Sequence, residues 1–321
     1  MNRIHQPISF QGKLTDQSYF EGWYFKQISQ DKKHVISFIP GISLVENDRH
    51  CFVQYIYAEL DDIDEQPIQT GYIRYPLEAF SFTDEPFSLR IGDNFFTETA
   101  ITVNLNEHTK HISGTLNLGS FTAIKKSWIS PGIMGFFTYI PKMECYHGII
   151  SMHHTINGSL TIDHRKIDFD HGTGYLEKDW GSSFPKAYIW LQCNSFADET
   201  VSLFLSIAHI PFMKMSFKGF ICNLSVNNKE YRFATYNQRK MKLAKVENGR
   251  ISVIFTNHES ILKIEGVSKR PGVLIAPHLG KMKDKIKEEL SGEVGFVLTD
   301  KKGNVICRNQ SRAAGIEIVG Y

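Results

Sequence analysis

The chain has 321 residues, with 36 basic and 34 acidic side chains, a net charge of about +2 and 42% apolar residues. That length accommodates one large or two medium domains with a sizeable core, and the composition is not that of a disordered chain. The even charge balance argues against nucleic acid as a partner held electrostatically. The first residues, MNRIHQPISFQGKL, lack the apolar stretch of a secretory leader, and no window is long and apolar enough to span a bilayer as a helix. The five cysteines, at 51, 145, 193, 222 and 307, are scattered and never form a C-x-x-C pair. A disulfide framework and a zinc site are therefore not expected, and reduced thiols in a cytoplasmic setting are.

In chain order, short alternating runs dominate. CFVQYIYAEL (51–60), AITVNLNE (100–107), HISGTLNLG (111–119), GSLTIDHRKIDF (158–169), KAYIWLQCN (186–194), TVSLFLSIAHI (200–210), RISVIFTN (250–257) and ILKIEGV (261–267) read as strands. They are rich in β-branched and aromatic residues and are bounded by turn clusters. One segment, HLGKMKDKIKEELSG (278–292), predicts a helix, with Met282, Ile286 and Leu290 on one face, Pro277 before it and Gly292 after it. The fold class expected is mainly antiparallel β, closed as barrels or a sandwich, with one or two short helices.

An internal echo suggests duplication. GWYFKQISQDKKHVISFIPGI and IWLQCNSFADETVSLFLSIAHIP each begin on a tryptophan strand, at Trp23 and Trp190, and run through a polar turn into a second strand that ends near a proline. The expected domains are 1–165 and 166–321.

FEGWYFK (20–26), FIPGI (38–42), PGIMGFF (131–137), PKMECYHGIISM (141–152), GYLEKDWGSSFPKAYIWLQCN (174–194) and GEVGFVLTDKKG (292–303) together resemble the tocopherol cyclase family, from about residue 18 to the C-terminus. The EGWY segment is also similar to a wider group of two-barrel, lipocalin-like proteins that includes carotenoid hydratases. The resemblance implies two lipocalin-like barrels or half-barrels around a hydrophobic ligand. It also implies closure of a prenylated hydroquinone into a chromanol without a cofactor. The alternatives are a hydratase acting on another isoprenoid and a non-catalytic carrier of an apolar molecule.

Ring closure needs an acid to protonate the prenyl alkene, a phenol oxygen to capture the tertiary cation and a group to take the phenolic proton. Burial against aromatic walls keeps a carboxyl protonated and stabilises the cation. On the strand 174–180, Tyr175, Glu177 and Asp179 share one face, with Leu176, Lys178 and Trp180 on the other. On 188–194, Tyr188, Trp190, Gln192 and Asn194 share a face against Ile189, Leu191 and Cys193. We read the two as paired strands buried on both sides, with Glu177 or Asp179 as acid and Trp180, Trp190, Gln192 and Asn194 lining a cavity. The plainer alternative is a surface ion pair of Glu177 with Lys178 or Lys186, and amides that bridge strands.

In PKMECYHGIISMHH, Glu144 shares a face with Tyr146 and Cys145 with His147. Glu144 and His147 are candidates for acid or proton relay, and Tyr146 for lining. Their alternation, and the opposed directions of His153 and His154, argue against a metal centre on this strand. In FEGWYFK, Glu21, Trp23 and Tyr24 are candidate substrate contacts, although Glu21 also suits an ion pair across a barrel rim. Tyr57 and Glu59, in the row Tyr55-Tyr57-Glu59, complete the set. No phosphate-binding loop, dinucleotide fingerprint or serine-nucleophile elbow is present. The partner expected is a prenylated quinol or other isoprenoid, with transient contact to membranes; the lysine-rich segment 281–290 reads either as a contact with an acidic surface or as a solvated helix that covers a barrel end.

Overall fold

The computed structural model describes residues 3–60, 67–107, 110–212, 215–237 and 239–321. β1 (Tyr19–Ile28), β2 (His34–Leu44), β3 (His50–Glu59) and β4 (Gln69–Pro76) form an antiparallel meander. Short strands β5 (Phe80–Thr83), β6 (Ser88–Ile91) and β7 (Asn94–Thr97) follow, then β8 (Ala100–Glu107) and β9 (Lys110–Leu118). After a long connection come β10 (Cys145–Ile162), β11 (Arg165–Asp168) and β12 (Gly172–Gly181). Among the described residues these form one sheet in the order β4-β3-β2-β1-β12-β10-β9-β8-β7-β6-β5, with β11 paired to β10.

The second sheet opens with another meander, β13 (Tyr188–Cys193), β14 (Ser202–Phe212), β15 (Met215–Val226) and β16 (Lys229–Ala234). It continues with β17 (Lys240–Glu247), β18 (Arg250–Thr256) and β19 (Ser260–Val267). β20 (Gly272–His278), the long β21 (Lys281–Asp300) and β22 (Val305–Val319) complete it. Its order is β16-β15-β14-β13-β22-β21-β19-β18-β17, with β20 paired to β21. Each sheet therefore has the same wiring. A four-strand meander starts on a tryptophan strand, and the last strand of that half returns to pair with the first, β12 with β1 and β22 with β13. The duplication expected from Trp23 and Trp190 is present in the topology.

Period-2 alternation places one row of each strand in a core. Trp23 and Phe25 of β1, Ile36 and Phe38 of β2, Val53 and Tyr55 of β3 and Leu176 of β12 belong to the first core. The sheet curls until distant strands meet: the Tyr55 hydroxyl of β3 donates to Glu107 of β8 at 3.3 Å, and Asn94 of β7 donates to the Tyr75 hydroxyl of β4 at 3.2 Å. In the second sheet Phe255 of β18 stacks on Phe220 of β15 and Phe233 of β16, at centroid distances of 5.2 and 5.7 Å.

The chain divides into one unit that runs to Phe184 and takes in Leu274–Lys285, and a second comprising Pro185–Val273 and Ile286–Tyr321. The expected break at 165/166 falls too early, because β12 belongs to the middle of the first sheet. For the same reason β12 and β13 are not paired. They lie in different sheets, and the polar stretch between them is the passage from one to the other. The helix expected over 278–292 is the turn and first half of the β20–β21 hairpin. Lys281, Lys283, Lys285 and Lys287 alternate with Met282, Asp284, Ile286 and Glu288, and the i, i+4, i+8 apolar positions fit a period of 2 as well as one of 3.6. The stretch Leu274–Lys285 of this hairpin belongs to the first unit and is tied into it. Gln54 exchanges hydrogen bonds with the Ile275 backbone at 2.7 and 3.2 Å, and Ser43 donates to the Gly280 carbonyl at 2.8 Å. Helical structure among the described residues is confined to 3-10 turns at Arg3–His5, Leu77–Ala79, Gly135–Tyr139 and Thr235–Asn237.

Candidate active site

β12 carries two buried rows that serve different ends. On the core side, Lys178 is fully buried and pairs with the equally buried Glu21 of β1 at 2.5 Å. Glu21 also accepts the backbone N–H of Gln11 at 2.9 Å, that of Gly12 at 3.2 Å and the Tyr19 hydroxyl. Lys178 donates to the Ser9 carbonyl and lies 4.6 Å from the Trp23 ring and 5.1 Å from that of Trp180. The Trp23 indole donates to the Ile8 carbonyl at 2.7 Å. These bonds fasten residues 8–12 across the first core, where Phe10 packs on Phe80 and Phe82. Glu21 and Trp23 thus hold a segment of their own chain, with the Trp180 ring beside Lys178, and the ion pair suspected for Glu177 is one between Glu21 and Lys178 on the opposite face. Burial pulls the Lys178 ammonium down to about 8 against the attraction of Glu21.

The other row, Tyr175, Glu177 and Asp179, points away from that core and is flanked by β1 and β10. The register sets Tyr24 opposite Glu177 on one side, and Ile149 opposite Glu177 and His147 opposite Asp179 on the other. Gly22 lies opposite Asp179 on β1 and leaves that carboxylate without a bulky neighbour there. His147 Nδ1 is 2.8 Å from Asp179 Oδ1, and Nε2 is 3.5 Å from Glu177 Oε2. The Tyr175 hydroxyl donates to the same Glu177 oxygen at 2.5 Å. The backbone N–H of His147 donates to the Met134 sulfur at 3.1 Å. At the strand end Gly181, with φ of +145°, passes so close to the Glu144 carbonyl that a Cβ would lie 2.3 Å from it, which suits glycine alone.

Burial on its own would lower the pKa of His147, but the charges of Asp179 and then Glu177 outweigh it and carry the imidazole up to about 9. The ring is therefore cationic at neutral pH, held between two carboxylates. Burial, reinforced by Glu177, raises the Tyr175 phenol well above its ordinary range and keeps it a donor. The Cys145 thiol is likewise pushed up, by burial and then Asp179, so it stays protonated and is no nucleophile. Donor atoms of His147, Glu177 and Asp179 lie within 4.8 Å of one another, a spread that a divalent cation could gather. With each imidazole nitrogen facing its own carboxylate, however, the arrangement is that of a proton-holding cluster.

Glu177, Asp179, His147 and Tyr24 are thus brought together. Glu144 is exposed and stands outside the cluster; its carbonyl caps the turn after β12 by accepting the N–H groups of Ser182 and Ser183. Tyr146 stacks on Trp180 at 5.6 Å and donates to the Ile140 carbonyl at 2.7 Å. Tyr57 is buried in the first core with its hydroxyl 2.9 Å from His34, and Glu59 pairs with Arg165 at 2.7 Å on the rim. In the second unit Trp190, Gln192 and Asn194 are buried on the side opposite Leu191 and Cys193, as their alternation indicated. Gln192 donates to Asn194 at 3.1 Å, and Tyr188 in the same row donates to Glu317 at 2.6 Å. Tyr175, absent from the expected site, shares the row of Glu177 and was readable from spacing. Met134 was not, because a loop delivers it.

The tocopherol cyclase-like family model matches residues 107–320, a span that contains His147, Glu177 and Asp179. The chain belongs to the tocopherol cyclase-like family. The segments FEGWYFK and FIPGI, part of the expected resemblance, lie outside that match. Among curated proteins of the tocopherol cyclase name, the chain is 23% identical over 198 residues to "Probable tocopherol cyclase, chloroplastic" of Oryza sativa subsp. japonica, covering 58% of this chain and 42% of that one. It is 28% identical over 74 residues to the chloroplastic tocopherol cyclase of Zea mays, covering 23% of this chain and 16% of that one. The chain thus spans less than half the length of these plant relatives. Among solved structures, CghA superposes with a TM-score of 0.60 at 9% identity, over 94% of this chain and 88% of that one. Kievitone hydratase from Nectria haematococca superposes with a TM-score of 0.51 at 9% identity, over 98% and 94%. At such identities the likeness is one of fold, and this tocopherol cyclase-like chain has the lipocalin-like two-barrel architecture.

Proposed function

We propose that this tocopherol cyclase-like protein closes a prenylated hydroquinone to a chromanol by protonating the alkene of the prenyl tail. The observation that carries the reading is His147 held between Glu177 and Asp179 within the family-matched span. In the proposed sequence the proton on His147 Nε2 passes to Glu177, and the resulting carboxylic acid gives it to the alkene. The alkene π pair forms the new C–H bond and leaves a tertiary cation, which the rings of Tyr24 and Tyr175 stabilise through their faces. A lone pair of the phenol oxygen closes the C–O bond, and the phenolic proton returns to the cluster. Substrate and product are isomers, and the protein ends as it began. Asp179 holds Nδ1 and so presents Nε2 to Glu177 Oε2; Tyr175 donates to that same oxygen and fixes its position.

The test is an assay of a prenylated hydroquinone with wild type, Glu177→Gln, Asp179→Asn and His147→Gln, with the product weighed by mass spectrometry. The wild type should give a product of unchanged mass, and each variant should lose about 10²–10⁴-fold in rate, the usual weight of a positioned acid or base. A product heavier by one water would make the protein a hydratase. Retention of an unaltered quinol by all four proteins would make it a carrier.

A further inference from the structure

The connection between β9 and β10, residues 119–144, gathers four exposed large apolar side chains. Trp128 is 80% exposed, Ile129 55%, Phe136 44% and Tyr139 43%. These side chains sit on a built support. The Tyr139 hydroxyl donates to the Trp128 carbonyl at 2.6 Å, Phe136 stacks on Phe137 at 4.5 Å, and Ile124, Ile133 and Met134 are buried beneath. The support meets the site strand at two points, Tyr146 to the Ile140 carbonyl and the N–H of His147 to Met134. Along the segment itself the charge has one sign. No aspartate or glutamate occurs between residues 108 and 143, while Lys125, Lys126 and Lys142 flank the exposed aromatics.

We propose that this segment docks the protein on an anionic lipid bilayer. Trp128, Ile129, Phe136 and Tyr139 enter the boundary between headgroups and acyl chains, and the three lysines meet lipid phosphates. Tryptophan and tyrosine suit that boundary because each joins an apolar ring to a polar edge, and lysines draw such a surface toward acidic lipid. A second copy of the chain is a poorer occupant, because a two-fold contact through this patch would set the lysines against their own images. The membrane contact proposed is thus at 125–142, a segment distinct from the lysine-rich 281–290. The proposal stands on the loop and is independent of the reaction proposed above.

The molecule carries its own reporter. Trp23, Trp180 and Trp190 are 0%, 9% and 7% exposed, so Trp128 is the tryptophan whose surroundings lipid can change. The protein is titrated with vesicles of phosphatidylcholine and phosphatidylglycerol, and with phosphatidylcholine alone, while intrinsic emission and co-sedimentation are followed. We expect a blue shift with the acidic vesicles, quenched by lipid brominated near the headgroup. Ile129→Ser/Phe136→Ser, which keeps the reporter, should weaken vesicle binding at least 10-fold, and Lys125→Glu/Lys126→Glu should abolish the preference for acidic lipid. Absence of shift and of sedimentation with both vesicles would overturn the proposal. So would a blue shift that grows with protein concentration without lipid, which would mark the patch as a self-association surface.

Discussion

At His147, burial and two carboxylates pull in opposite directions, and the carboxylates win: the imidazole is carried from 6.5 up to about 9. A group whose pKa is higher folded than unfolded stabilises the fold fully below its unfolded value, and that contribution is lost as pH rises through the folded one. The window here runs from 6.5 to about 9, and the shift corresponds to roughly 3 kcal/mol. Lys178 acts the other way, with stability that grows from about pH 8 toward 10.5. A comparison with His147→Gln cancels that second effect. The difference in unfolding free energy between wild type and the variant, measured in urea, should shrink by a few kcal/mol between pH 6 and pH 9.5. A difference that stays flat would mean that folding leaves the His147 pKa at its unfolded value. The row Tyr175-Glu177-Asp179 was legible because side chains two apart on a strand must share a face. The partner of that row was not. The pairing of β10 with β12 contains register shifts between Ile149 and His154, and no local pattern foretells where such a bulge sets the histidine.

At the scale of the element, β12 shows why a strand rich in polar residues need not be exposed. One face supplies the proton-holding row, and the other supplies Lys178, whose ion pair with Glu21 fastens residues 8–12 to the first core. Removing one member of such a pair strands the other charge in a dry site. Lys178→Met should therefore destabilise the protein by about 3–5 kcal/mol, and Glu21→Gln/Lys178→Met by less than the sum of the single changes. Equal additivity in urea unfolding would show that the two side chains do not depend on each other. The lysine-rich segment 278–292 carries the complementary lesson. Its charged positions alternate, and only pairing with β20, continued along β21 by partners on β22 and β19, decides that period 2 wins over 3.6. The sequence holds both patterns, so tertiary pairing had to choose between them.

Across the whole chain, the mainly β class and the repeated meander could be read directly, because alternation, turn clusters and the two tryptophan strands recur in the same order. The division between units could not. β12 follows β11 closely in sequence yet closes the first sheet against β1, and Leu274–Lys285 returns to the first unit from the second half. Such returns are settled by which edge is left unpaired, a property of the assembled sheet. The same closure brings Tyr24 of β1 and His147 of β10 to opposite flanks of Glu177, so the candidate site depends on the fold being complete. The central claim, that this site delivers a proton to a prenyl alkene, is tested most directly by running the reaction in D2O. Proton delivery by this site gives a chromanol bearing one non-exchangeable deuterium on the ring carbon that accepted the proton, formed by wild type and lost together in Glu177→Gln and His147→Gln. Chromanol without that deuterium, or with it at full rate in both variants, would rule out proton delivery by Glu177 and His147.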